Sequence, residues 1–180
     1  MMKRLIDFLR SQWLTIRVVG TFVLLIAGFF SLLTYTPLVE RLDVAWTVAR
    51  GIAWLSGWFL WSLGLVGGFP VVIDGTNLAS GTFRVDVSPG CSGVVPTMIY
   101  LSAVFAYPTG WRSKLIGTAL GIGVIAAVNL LRVVSLFLIG VFAHQYFHDT
   151  HVYIAQALVV AIAAATWLFW AGRFADAPGD

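Results

Sequence analysis

The chain has 180 residues and a mass of 19.6 kDa, room for one domain. Hydrophobic residues make up 59%, charged residues 11%, and mean hydropathy is +0.91, whereas a soluble domain carries about a quarter charged residues to keep its surface wet. These values exclude a soluble globular domain and a disordered tail, and Cys91, the sole cysteine, excludes a disulfide scaffold. The formal charge of +3 does not point to nucleic acid, because the basic residues flank apolar runs: Lys3, Arg4, Arg10 and Arg17 precede the first, Arg112 and Lys114 share one loop, and Arg173 follows the last. What remains is an all-α polytopic membrane protein.

In chain order, the first apolar run, Val18 to Leu33, follows a basic segment, and no small-x-small cleavage site appears before Pro37. It reads as an uncleaved signal anchor. The second run, Val44 to Val66, is interrupted by Arg50 and carries Trp46, Trp54, Trp58 and Trp61 as a stripe on one helical face. The segments Val71 to Asn77 and Ser80 to Val87 then alternate apolar and polar residues around turn residues, which predicts a β-hairpin outside the bilayer. Three more runs occupy Val94 to Tyr107, Leu115 to Phe142 and Val152 to Trp170. A crossing helix needs about 20 residues, so the run from Val94 crosses only if it starts near Cys91 and continues into Pro108.

Charge sets the orientation. If all five runs crossed from an inside N-terminus, Arg112, Lys114 and Arg173 would fall outside, against the positive-inside rule. Tryptophan prefers the headgroup region, so the Trp-striped run is the one expected not to cross. The expected architecture is a single domain over residues 1–180, a helical transmembrane bundle with spans near 18–33, 91–108, 115–142 and 152–171 and an interfacial or re-entrant helix near 44–66. The hairpin, Cys91 and the segment His144 to His151 are expected on the outer face.

Three elements carry chemistry. Cys91 lies in Ser88-Pro89-Gly90-Cys91-Ser92-Gly93 at the start of a transmembrane helix, where unpaired N–H groups and the helix dipole favour a thiolate and the flanking glycines leave room for a substrate backbone. A buried small hydrophobe is the competing reading. Arg132 stands inside an apolar run, where a central charge costs about 2.5–3.5 kcal/mol, so it is a functional-site candidate, with a buried arginine satisfied by helix ends or carboxylates as the competing reading. Asn129 and Ser135, three residues to either side, are expected on its face. Arg132 lies roughly 25 Å along a helix that starts near Leu115, towards the outer leaflet. The loop His144-Gln145-Tyr146-Phe147-His148-Asp149-Thr150-His151 holds all three histidines. One could exchange protons with the thiol; if the loop is helical, the three also share one face, as a zinc site would require. Exposed histidines with no role are the third reading.

Taken together, Cys91-Ser92-Gly93 opening one helix, Asn129-Leu130-Leu131-Arg132-Val133 in the next and a histidine before the last resemble the exosortase/archaeosortase family of membrane transpeptidases. The ending His151-Val152-Tyr153 to Gln156, leading to Trp167 and Trp170, is most similar to the compact exosortase H type. The resemblance implies a catalytic set of Cys91, Arg132 and His151, with His148 as the alternative histidine and Ser92, Gly93 and Asn129 in support. It implies exported protein substrates with a C-terminal motif, a transmembrane helix and a basic tail, transferred through a thioester to a surface or lipid acceptor. It further implies a prokaryotic cytoplasmic membrane, with no metal, no cofactor and no nucleic acid. Two readings compete: a small transporter or non-catalytic assembly subunit whose Arg132 and Asn129 line a polar path, and a rhomboid-like protease using Ser92. The absence of paired internal repeats weighs against a transporter.

Overall fold

Helices dominate the computed structural model, which describes residues 2–34, 44–62, 64, 71–81, 83–147 and 154–175. They are α1 (Met2–Thr34), α2 (Val44–Ser62), α3 (Val94–Ala106), α4 (Trp111–Phe142) and α5 (Ala155–Arg173). A small sheet of β1 (Val72–Asp74), β2 (Asn77–Ser80) and β3 (Phe83–Asp86) lies between α2 and α3 in the chain. Among the described residues, three helices are long and apolar enough to cross a membrane: α1 through its window Thr15–Leu32, α4 and α5. At 32 residues, α4 is about 48 Å long. That exceeds the ~30 Å hydrocarbon core, so α4 tilts or extends past it.

The sheet is a three-stranded antiparallel meander, not the two-stranded hairpin expected from the alternation. The segment Val71 to Asn77 does not run through as one strand. Gly75, at φ +62°, turns the chain with Thr76, and Asp74 pairs with Asn77 across that tight turn. Register then runs Leu78 to Val85 and Ser80 to Phe83.

In α2 two faces separate. Ala49, Ile52, Ala53, Ser56, Gly57 and Leu60 are buried at three- and four-residue spacing, while Trp46, Trp54, Trp58 and Trp61 are exposed on the other side. The small residues let the sheet approach closely: a Cβ on Gly57 would sit 2.5 Å from Ile73 Cδ1. The helix predicted over 91–108 is shorter than expected. Gly93 at φ +78° precedes its first residue, and Pro108 holds Tyr107 extended at its end. Its 13 residues span about 20 Å.

Two apolar clusters form along α4. Near its C-terminal half, Val133, Val134 and Phe137 pack with Ile52, Ala53 and Leu60 of α2 and with Leu78 and Val87. Nearer its start, Ile125 packs with Tyr100 and Val104 of α3 and Trp170 of α5. A line of Ser113, Gly117, Gly121, Ile125 and Asn129, repeating every four residues and buried throughout, makes this approach possible. The Trp170 ring lies where a Gly117 Cβ would stand, 2.6 Å away, and the Tyr100 ring occupies the same position at Gly121. Both rings place their polar tips, Tyr100 OH on the Gly117 carbonyl (3.0 Å) and Trp170 Nε1 on the Ser113 carbonyl (2.9 Å). Asn129 stands between the two clusters.

Candidate functional site

The segment before Cys91 is tied to the sheet. Val87 is buried and donates its N–H to the Thr76 carbonyl at 2.9 Å, while the Thr76 hydroxyl donates to the Asp86 carboxylate. From there the chain enters a 3-10 turn, Pro89–Cys91, closed by Cys91 N–H on Ser88 O at 2.8 Å. Cys91 therefore sits at the end of this turn, three residues before α3, rather than at the first residue of the helix. It is half-buried. Gly90 is exposed, and among the described residues only Ser88 Oγ lies near the position of a Cβ (3.8 Å), so the backbone just before Cys91 is uncrowded. Gly93 serves a different purpose. Its left-handed φ turns the chain into α3, and a Cβ there would stand 3.1 Å from Asn129 Cγ. Thr97 fastens the turn, donating both its N–H (3.1 Å) and its hydroxyl (2.7 Å) to the Gly93 carbonyl.

Across this turn lies α4. Asn129 is fully buried and its Nδ2 donates to the Cys91 carbonyl at 2.9 Å. Because a carbonyl can only accept, the amide nitrogen must face Cys91, which fixes the flip of the side chain and aims Oδ1 elsewhere. That Oδ1 has no hydrogen-bond partner among the described residues, and neither has the buried Nε of Arg132, one turn further along α4. A buried donor and a buried acceptor left unmet each cost about 1–3 kcal/mol. Five other buried polar atoms are also unmet among the described residues, but these two stand three residues apart on α4 beside the bond to Cys91. Ser135 does not share this face, as the three-residue spacing suggested, and is exposed. Six residues from Asn129 amount to about 600° of helical turn, which leaves the two side chains about 120° apart.

Ser92 is buried at 3% exposure and its hydroxyl donates to the Pro89 carbonyl at 2.6 Å. A carbonyl cannot take that proton, so Ser92 stiffens the turn and the serine-protease reading loses its nucleophile. Among the histidines, His144 is exposed in the 3-10 turn His144–Tyr146 that follows α4. It lies parallel to the Phe147 ring and edge-on to Phe83, with centroids 6.3 and 5.8 Å apart, which ties the end of α4 to β3. His148 and His151 lie outside the described residues.

A groove of about 430 Å³ runs between α3 and α5, lined by Val95, Pro96, Ile99, Gln156, Val160 and Trp167 among others. It begins one turn past the Cys91 segment and is almost wholly apolar. The sequence offered no sign of this groove, because a residue facing a cleft between helices and one facing lipid are equally apolar. Gln156, a polar residue in an apolar run, was its one legible member.

A family model described as transmembrane exosortase (EpsH) matches residues 12–170. The match takes in the Cys91 turn, the Asn129 to Arg132 face of α4 and the histidine loop. No curated protein and no solved structure matches the chain.

Proposed function

Because this chain belongs to the transmembrane exosortase family, we propose that it is a membrane cysteine transpeptidase that cuts a C-terminal sorting segment from exported proteins and passes them to an acceptor. The observation that carries the reading is the 2.9 Å bond from Asn129 to the Cys91 carbonyl. It holds the Cys-Ser-Gly turn against the helix face that bears Arg132, two chain segments whose meeting a transporter has no need of.

In this mechanism the Cys91 thiolate attacks a peptide carbonyl of the substrate and forms a tetrahedral oxyanion. Arg132 stabilises that oxyanion where low dielectric strengthens the interaction. Collapse breaks the peptide C–N bond, His151 protonates the departing amine, and a thioester to Sγ remains. A nucleophile on the acceptor, deprotonated by His151, then attacks the thioester and returns the thiolate. No step requires a metal or cofactor. The groove between α3 and α5 suits the apolar helix of such a substrate, since it leads away from Cys91 along the helices on either side. In the proposed arrangement the protein lies in the cytoplasmic membrane of a prokaryote with Cys91 on the outer face, and α2 rests its tryptophans in the headgroup layer.

Quantitative proteomics of membranes from wild-type and Cys91→Ala cells tests this function. Proteins retaining an intact C-terminal motif, helix and basic tail should accumulate in the variant. Identical C-termini in both strains would favour the transporter or assembly-subunit reading.

A further inference from the structure

Two polar atoms of opposite kind, one turn apart on α4, are unmet among the described residues: Asn129 Oδ1, an acceptor on a fully buried side chain, and Arg132 Nε–H, a buried donor. Residues three apart on a helix have Cβ atoms about 5–6 Å from each other. The first of these side chains already touches Cys91 through its other atom. One ligand group offers the complement of both. In an extended peptide, the N–H and C=O of the same residue point to the same edge, which is how paired strands exchange two hydrogen bonds through one residue. The two groups of a single peptide bond point in opposite directions and do not fit.

Resting on the transpeptidase reading, we propose that Asn129 and Arg132 form a clamp for the substrate residue whose carbonyl Cys91 attacks. Asn129 Oδ1 accepts that residue's N–H, and Arg132 Nε–H donates to its C=O. Asn129 thus contacts the substrate as well as the Cys91 backbone, and the substrate enters as a strand rather than a helix at the point of cleavage. The clamp recognises backbone and leaves side-chain selection to other parts of the site.

The test uses the single thiol. Purified full-length protein in nanodiscs is treated with acetyl-alanyl-alanine chloromethyl ketone, which alkylates a thiol with loss of chloride, and with its depsipeptide analogue, in which an ester oxygen replaces the N–H of the residue bearing the ketone. Alkylation of Cys91 is followed by intact-protein mass, with iodoacetamide as a reagent that makes no backbone contact. The clamp predicts that the amide reagent labels wild type about tenfold faster than the ester through a tighter saturable step. It also predicts that Asn129→Leu removes this preference while iodoacetamide still labels Cys91. Equal rates for amide and ester in wild type would overturn the clamp while leaving the nucleophile in place, and this comparison does not depend on any variant folding. Failure of every reagent, iodoacetamide included, to label Cys91 would overturn the transpeptidase reading and the clamp together.

Discussion

Gly93 meets two demands at once, a left-handed φ of +78° and the near contact of Asn129 at 3.1 Å from a would-be Cβ. Gly93→Ala should therefore cost about 1–3 kcal/mol, read as a lower unfolding midpoint in detergent, and should slow processing by shifting Cys91 relative to α4. An unchanged midpoint would show that the turn is not held as described. At Arg132 the proposed role needs a planar fork of donors as well as a charge, so Arg132→Lys should lose about 10²-fold or more in processing rate. Near wild-type processing by Arg132→Lys beside an inactive Arg132→Ala would leave it only a counter-ion role. His151→Ala should fail severely, while His144→Ala, whose ring packs on Phe83 and Phe147, should be mild. Equal failure of His144→Ala, His148→Ala and His151→Ala with chelator sensitivity would instead favour zinc. Arg132 and Asn129 were legible as candidates because a polar group in an apolar run is conspicuous, and Cys91 as the sole cysteine, set between glycines. Helical phase puts Asn129 and Ser135 equally far to either side of Arg132, so only the structure shows that Asn129 is buried beside Cys91 and Ser135 exposed. The Asn129 bond to a backbone carbonyl 38 positions away was equally hidden, because such a bond leaves no periodic trace.

Among the elements, α4 organises the others. Its four-residue line of small side chains admits the rings of Tyr100 and Trp170, so Gly121→Ala, which drives a methyl group into the Tyr100 ring, should destabilise the α3–α4 contact by about 1–3 kcal/mol. Thermal unfolding of the variant in detergent measures this, and a shift well below that of Gly93→Ala would argue that Tyr100 has room to move. The helical runs were readable from apolar length, but their ends were not: the span expected near 91–108 is cut to Val94–Ala106 by the left-handed Gly93 and by Pro108. The meander was harder to read. Gly75-Thr76 was visible as a pair of turn residues, but the strands beside it have three and four residues, too few for alternation to separate two strands from one.

For the whole molecule, α4 begins and α5 ends together. The Trp170 bond to Ser113 joins them beside Arg112, Lys114 and Arg173, and Lys114 Nζ reaches the Phe105 carbonyl at 2.9 Å. Asn129 lies 16 residues above Ser113 in α4, about 24 Å away, so the basic end and the site end are separated by most of a bilayer. In a Cys91→Ala background, cysteines placed near Asp74 should react with an impermeant reagent in intact cells, and Lys114→Cys should not. Labelling of Lys114→Cys would reverse the orientation. If Cys91 carries the substrate as a thioester, mass mapping of the protein isolated from cells producing its substrates, before and after neutral hydroxylamine, will detect it. The expected result is a polypeptide adduct on Cys91 that hydroxylamine releases and that is absent from Cys91→Ala. Sorting-segment cleavage continuing with no such adduct at Cys91 would contradict that role.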